Sequence, residues 1–185
     1  MRLIVALTGA SGIIYGVRFL EVCRELGVET DLILSEAGKQ ILRMETGREP
    51  REVEGLASRS YGEDELASPL SSGSHPADGM VIIPCSMKTL ACVASGVAGN
   101  LITRAADVTL KQGRPLVLVP RETPLSLIHL ENLVRVKRAG AVVLPACPAF
   151  YHGPRGIPDL VDFVVGKVLD VLGVQHRLYR RWEGE

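Results

Sequence analysis

The sequence predicts an α/β fold in which one parallel sheet is flanked by helices. Short, continuously apolar runs alternate with segments whose apolar residues recur every three or four positions, and glycine- or proline-bearing turns separate them. A run apolar at every position is a strand buried on both faces, and helices on each side are what cover such a sheet. With 185 residues, 46% of them hydrophobic and 23% charged, the chain has the length and composition for one core-forming domain over residues 1–185.

Leu3 to Leu7 is the first apolar run, and it stops at the turn Thr8-Gly9-Ala10-Ser11-Gly12. Ile13, Val17, Leu20 and Leu26 follow at helical spacing up to Gly27, a natural C-terminal stop. Val28 to Leu34 reads as the second strand, ending at Ser35, with a shorter helix through Gln40, Ile41 and Leu42 toward Glu45. Residues 47–78 hold charges, Ser, Gly and Pro, and the run from Ser68 to Ser74 reads as loop. Val81-Ile82-Ile83-Pro84 is the next buried strand, with a helix from about Lys88. Leu101 to Lys111 reads as helix, Pro115 to Val119 as a strand closed by Pro120, Leu125 to Arg138 as helix, and Ala141 to Leu144 as strand. A proline-containing loop, Pro145 to Pro158, leads to a last amphipathic helix through Leu160, Phe163, Val164 and Val168. No internal repeat or low-complexity tract interrupts this alternation.

Composition narrows the function. Lys plus Arg equals Asp plus Glu, at 21 each, so the chain lacks the basic field that nucleic-acid binding requires. Any anion must be held by a local group of cations, and low net charge leaves little repulsion against self-association. No segment approaches the roughly 20 apolar residues of a membrane span. The N-terminal apolar stretch is too short for a signal peptide, so the expected compartment is the cytoplasm. Cys23, Cys85, Cys92 and Cys147 form no C-x-x-C pair and the four histidines stand singly, so no metal site is expected.

Strands alternating with helices form right-handed βαβ units, and their ligands lie beyond the carboxyl ends of the strands. After the first strand, Gly9-Ala10-Ser11-Gly12, with Gly16 a turn further, suits the approach of a phosphate to a helix N-terminus. The same turn is also ordinary architecture. It is not G-x-G-x-x-G, and the second strand ends in Ser35 rather than an acid, which favours a mononucleotide over a dinucleotide. After Ile83, the segment Ser86-Met87-Lys88-Thr89 brings two hydroxyls and a lysine, although Ser86 would equally cap a helix. Cys85 reads as a buried structural thiol. Arg121 stands at another strand end, either facing an anion or paired with Glu122. Arg104 and Lys111, seven apart, share a helix face, a spacing that by itself marks a solvated stripe. Tyr151 and His152 follow the last strand, and Lys167 lies on the last helix. Together these residues point to phosphate chemistry in which side chains neutralise the charge.

Six ordered segments carry a closer resemblance: T-G-A-S-G from Thr8, P-C-S-M-K-T-L from Pro84, N-L-I-T-R-A-A-D-V-x-L-K from Asn100, R-P-L-V-L-V-P-R-E-T-P-L from Arg114, I-H-L-E-N from Ile128 and P-A-x-P-x-F-Y-H from Pro145. Through them the chain resembles the flavin prenyltransferases of the UbiX/Pad1 type over nearly its whole length, with residues 48–66 matching least. The resemblance implies a single Rossmann-like (flavodoxin-like) domain, assembled as a homododecamer built from trimers. It implies transfer of a dimethylallyl group from dimethylallyl phosphate to N5 and C6 of reduced FMN. The product, prenylated FMN, serves a partner decarboxylase of the UbiD type, and no metal takes part.

By position, the resemblance assigns Gly9, Ala10, Ser11, Ser35, Ser86, Met87, Lys88, Thr89 and Arg121 to the flavin. Ser11 and Glu45 match a pair near the reacting atoms, with Glu122 as a further candidate acid or base. Ser72, Arg104, Lys111, Arg121, Tyr151 and Lys167 match the phosphate grip, several of them across a subunit interface. Lys167 replaces an arginine found in some members, and His75 stands where an aromatic wall of the prenyl pocket is often found. Two alternatives are weaker. A cysteine decarboxylase of related fold needs a histidine in the first helix, and none is there. A flavin carrier would lack the cation set at Lys111, Arg121 and Lys167.

Overall fold

The computed structural model describes residues 1–184. At the centre of a parallel sheet, β1 (Arg2–Leu7) pairs with β2 (Glu29–Leu34) on one side and β4 (Gly79–Cys85) on the other. The full order is β3-β2-β1-β4-β5-β6, with β3 at Arg59–Gly62, β5 at Leu116–Pro120 and β6 at Val142–Val143. The chain moves outward from β1 through β2 to β3 and then returns to lay β4 on the other flank of β1. That reversal leaves a crevice at the carboxyl ends of β1 and β4, where ligands of open α/β sheets bind.

The uninterrupted apolar runs work because both faces are covered. Along β1, Leu3, Val5 and Leu7 enter one core and Ile4 and Ala6 the other, as a period of two requires. The first core is closed by α1 (Ile13–Glu25) and α7 (Ile157–Val171), through Phe19, Leu20, Val164 and Val168. The second is closed in large part by α5 (Leu101–Lys111), with Leu101, Ile102 and Ala105 against Ile82 and Leu118. Gly16 is required by this packing: a Cβ there would lie 2.7 Å from Leu7 Cγ and would strike the Ile83 carbonyl. The remaining helices are α2 (Glu36–Thr46), α3 (Pro50–Glu54), α4 (Met87–Ser95) and α6 (Leu127–Arg138). No helix among the described residues is long and apolar enough to cross a membrane.

The segment 47–78 departs from the sequence reading. It contains α3, β3 and a 3₁₀ turn at Pro69–Ser71 inside the run expected to be loop. β3 reads Arg-Ser-Tyr-Gly, without apolar alternation, and owes its conformation to pairing with Asp31–Leu34 of β2. Such an edge strand is fixed by its neighbour and leaves no periodic signal. α6 starts at Leu127, where Ser126 accepts from the His129 amide, and so begins later than expected. β6 keeps only two residues of the expected four-residue strand.

Candidate functional site

Hydrogen bonds tie the turns at the carboxyl edge together. The Thr8 hydroxyl donates to the Pro84 carbonyl at 2.8 Å and accepts from the Ser86 amide at 2.8 Å, joining the turns after β1 and β4. The Ser35 amide donates to the Leu7 carbonyl at 3.1 Å, and the Ala146 amide to the Pro120 carbonyl at 3.0 Å. Gly9 permits the first of these turns: a Cβ would collide with that of Ala37 at the start of α2. Gly12, at φ 94°, takes the left-handed conformation that leads into α1.

At this turn three expected residues come together. Glu45 reaches from the last turn of α2 to the N-terminus of α1, accepting from the Gly12 amide at 2.9 Å and the Ile13 amide at 3.1 Å. Gly12 offers no side-chain cap, so this carboxylate satisfies donors that would otherwise be orphaned and meets the positive end of the helix dipole. The helix N-terminus expected to cradle a phosphate is therefore engaged by Glu45. Arg121 Nε donates to the Ser11 carbonyl at 2.9 Å. Arg121 does not turn toward Glu122, whose exposed carboxylate accepts from the Thr123 amide at 3.0 Å.

The serine hydroxyls serve as caps. Ser35 Oγ accepts from the Gly38 amide at 3.0 Å, and Ser86 Oγ accepts from the Thr89 amide at 3.2 Å while sharing a 3.0 Å bond with Thr89 Oγ1. Capping leaves the Ser35 hydroxyl proton free for a further acceptor. Glu63, Lys88, Thr89 and Asn100 line a cleft of about 360 Å³ beside these caps. Sequence reasoning missed Glu63. Its carboxylate accepts from Asn100 Nδ2 at 2.6 Å and the Glu36 amide at 2.9 Å, fixing the starts of α5 and α2. It lies in the segment without periodicity, and nothing local marks it. Another cleft, of about 430 Å³, lies between α1 and α7 and shares Glu45 with the turn just described.

The phosphate candidates fall into three places. Tyr151 is half-exposed and stands edge-on to His152, Phe163 and Trp182, with centroids 5.8, 5.9 and 5.6 Å away. Lys167 lies on α7 with Nζ 3.9 Å from Asp170. Arg104, near the start of α5, donates to the Ser71 carbonyl at 3.1 Å and pairs with Asp107 at 2.7 Å. Lys111 ends α5 at the opposite, amino edge of the sheet, just before Pro115 accepts from the Met80 amide. Ser72 is near that edge too: its hydroxyl bonds Ser74 at 2.8 Å, and Arg114 holds the Gly73 and His75 carbonyls at 2.9 and 2.8 Å. The length of β5, roughly 16 Å at about 3.3 Å per residue, separates this edge from Arg121. Within one chain, then, Lys111 and Ser72 do not join the carboxyl-edge group. His75 is also not presented as an exposed pocket wall: it is buried, with Nε2 2.9 Å from Asp31.

Burial pushes the Cys85 thiol up to about 12, in keeping with a structural role. Among the described residues, no group of three or more His, Cys, Asp or Glu is arranged to hold a metal ion.

A doubly wound parallel sheet with capping hydroxyls, an arginine and a carboxylate gathered at its switch point defines a nucleotide-binding class of α/β protein. Comparison with known proteins narrows the class. The Flavoprotein family profile matches residues 1–169. The chain is 51% identical to flavin prenyltransferase UbiX of Methanothermobacter thermautotrophicus, over 99% of this chain and 96% of that one. It is 47% identical to the mitochondrial flavin prenyltransferase PAD1 of Saccharomyces cerevisiae, over 99% of this chain and 76% of that one. The crystal structure of AnUbiX (PadA1) in complex with FMN and dimethylallyl pyrophosphate superposes with a TM-score of 0.98 at 47% identity, covering 100% of this chain and 98% of that one. A dodecameric FMN-dependent UbiX-like decarboxylase from Escherichia coli O157:H7 gives 0.97 at 49% identity, with both chains fully covered. The FMN-dependent cysteine decarboxylase TvaF, at 20% identity and a TM-score of 0.64, shares the fold alone. The chain belongs to the UbiX/Pad1 family of flavin prenyltransferases.

Proposed function

We propose that this chain transfers a dimethylallyl group from dimethylallyl phosphate to N5 and C6 of reduced FMN, without a metal. The product would be prenylated FMN, handed to a UbiD-type decarboxylase in the cytoplasm. The observation that carries this reading is the convergence of Ser11, Glu45 and Arg121 at the switch point of the sheet. It occurs in a chain nearly superposable on a relative described with FMN and dimethylallyl pyrophosphate.

The donor set fits a flavin mononucleotide. Ser35, Ser86, Lys88 and Thr89 offer hydroxyls and a cation beside the cleft for a phosphate and ribityl chain. Gly9, Ala10 and Ser11 present backbone, Met87 an apolar contact, and Arg121 a planar cation for a ring carbonyl. When bound, reduced FMN supplies the nucleophilic N5 and C6. Breaking the C–O bond of the prenyl donor leaves negative charge on its phosphate. Cations and a phenol hydroxyl fixed in advance stabilise that charge most where it develops, and Arg121, Tyr151 and Lys167 fill that role. Lys111 and Ser72 join the grip from a neighbouring copy, because a single chain holds both at the far edge, and Arg104 stands nearby. Glu45 or Glu122, with the released phosphate, takes the proton lost on ring closure, and Ser11 orients the reacting atoms.

Anaerobic incubation of the purified protein with reduced FMN and dimethylallyl phosphate, followed by mass spectrometry of the released flavin, tests the proposal. The expected result is a mass gain of one C5H8 unit, with no release of CO₂ from aromatic acids by the chain alone. Bound but unmodified flavin with both the phosphate and the diphosphate donor would sink the reading in favour of a flavin carrier.

A further inference from the structure

Asp170 sits one turn beyond Lys167 on α7, and the chain after α7 folds back onto it. Its carboxylate collects donors from that returning segment: His176 Nε2 at 3.0 Å, the Tyr179 hydroxyl at 2.5 Å and Arg181 at 2.7 Å. His176 Nδ1 accepts from the Leu178 amide at 3.2 Å, which places the ring proton on Nε2, facing Asp170. Gly166 makes the close approach feasible, since a Cβ there would lie 2.6 Å from Tyr179 Cε1 and 2.7 Å from His176 Cε1. Beyond the clamp, Tyr179 packs 4.8 Å from Phe163, and Trp182 rests edge-on to Tyr151 at 5.6 Å. The segment thus ends against the phenol assigned to the donor phosphate, and its anchor lies 3.9 Å from Lys167.

We propose that Asp170 is a positioning residue, whose carboxylate clamps residues 176–182 to α7 and thereby sets Tyr151 and Lys167 for the prenyl donor. The assignment of those two side chains to the donor rests on the function proposed above; the clamp itself does not. Burial alone would raise the Asp170 pKa, but hydrogen bonds from Tyr179 and Arg181 and the nearby His176 hold it below the ordinary carboxylate range. Burial first, and then the bond to Asp170, push the Tyr179 phenol well above its usual value. Asp170 is therefore ionised and Tyr179 protonated at neutral pH, so these two partners meet as acceptor and donor under assay conditions. An ordered segment spares the donor complex the entropy of fixing Tyr151 and Trp182 at the moment of binding.

Trp182 is the one tryptophan in the sequence, so its fluorescence anisotropy reports on the segment directly. In the full chain, Asp170→Asn should lower that anisotropy and speed tryptic cleavage after Arg177 and Arg180 by about tenfold, with no substrate present. In turnover it should raise KM for the prenyl donor by about tenfold while kcat and the Kd for FMN stay within about twofold. If Asp170→Asn lowers the melting temperature sharply, Tyr179→Phe carries the same test, with a change of about threefold, because it deletes one donor and keeps the ring. Unchanged anisotropy and proteolysis would refute the clamp. A freed segment with an unchanged donor KM, or an equal loss of FMN affinity, would refute the positioning role. A wild-type chain that fails to prenylate FMN would instead refute the function, and the anisotropy and proteolysis results would still decide the clamp.

Discussion

Removing the Glu45 side chain should separate a structural from a chemical role for this carboxylate. It accepts from two amides at the start of α1, at 2.9 and 3.1 Å, and α1 has no cap from its own N-cap residue. Hydrogen bonds to a charged group contribute about 1.5–3 kcal/mol when sheltered, and charge at a helix N-terminus about 0.3–1 kcal/mol when exposed. Glu45 is exposed, so the low end applies, and Glu45→Ala should cost about 1–2 kcal/mol. For a chain of this size that is a fall of roughly 3–6 °C in melting temperature. Glu45→Gln keeps an acceptor oxygen but loses the charge, at about half that cost. Thermal unfolding of the two variants without flavin measures the cap, and prenyl transfer by Glu45→Gln measures the chemistry. An unaltered melting temperature in Glu45→Ala would show that the capping argument is wrong. Full turnover by Glu45→Gln would remove Glu45 as a proton carrier.

Lys111→Ala should bind FMN normally and lose turnover by at least about 100-fold, because it removes charge from the phosphate grip alone. Co-expression with Arg121→Ala should restore part of the turnover if the two residues meet across copies; normal turnover by Lys111→Ala alone would take Lys111 out of the site. Gly16→Ala should destabilise by about 2 kcal/mol or more, or about 4–8 °C, even after a helix-propensity gain of about 1 kcal/mol. An unchanged or higher melting temperature would mean that α1 does not pack as closely on Leu7 and Ile83 as described. Burial pushes Cys23 and Cys85 up to about 12, which leaves only about one thiol in 10⁵ ionised at pH 7. A native thiol titration should therefore label exposed Cys147 first and Cys92 more slowly, and leave the other two silent until unfolding. Rapid labelling of Cys85 would reopen its reading as a nucleophile.

Five of the six strands were legible, the short β6 among them, and four of the five because each is buried on both faces and so writes itself as an unbroken apolar run. β1, β2 and β5 fall within a residue of their expected bounds, and β4 gains two residues at its start and one at its end. β3 was not legible, because an exposed edge strand takes its shape from β2 rather than from its own pattern. The same division runs through the site. Ser35 and Ser86 were visible as hydroxyls at strand ends, and Ser86 as a cap as well, because a cap is a local motif. Glu45, Glu63, Arg114 and Asp170 act over distance: Glu45 caps a helix that starts 32 residues earlier in the chain. A charged side chain on a surface helix carries no mark of which remote amide it will meet. The shared helix face of Arg104 and Lys111 also misled in one respect. It is one face, but α5 runs from the carboxyl edge of the sheet to the amino edge and delivers the two cations to different heights.

That difference in height bears on why the chain would work as an assembly. A phosphate grip needs several cations within a few ångströms, and this chain holds the candidate cations at two edges of one sheet. Bringing Lys111 to the carboxyl edge inside one molecule would mean unwinding α5, whose Leu101, Ile102, Ala105 and Ala106 are buried against β4 and β5. A second copy would supply the lysine at no such cost. The surface has the apolar area for that contact: Leu127, Ile128, Leu130 and Val134 of α6 are between 46% and 70% exposed. A chain with zero formal net charge offers little long-range repulsion against it. Dividing the grip between copies would also couple catalysis to assembly. A lone chain would keep its flavin-facing hydroxyls and Arg121 yet lack the lysine at the donor phosphate, so it would bind flavin without transferring the prenyl group.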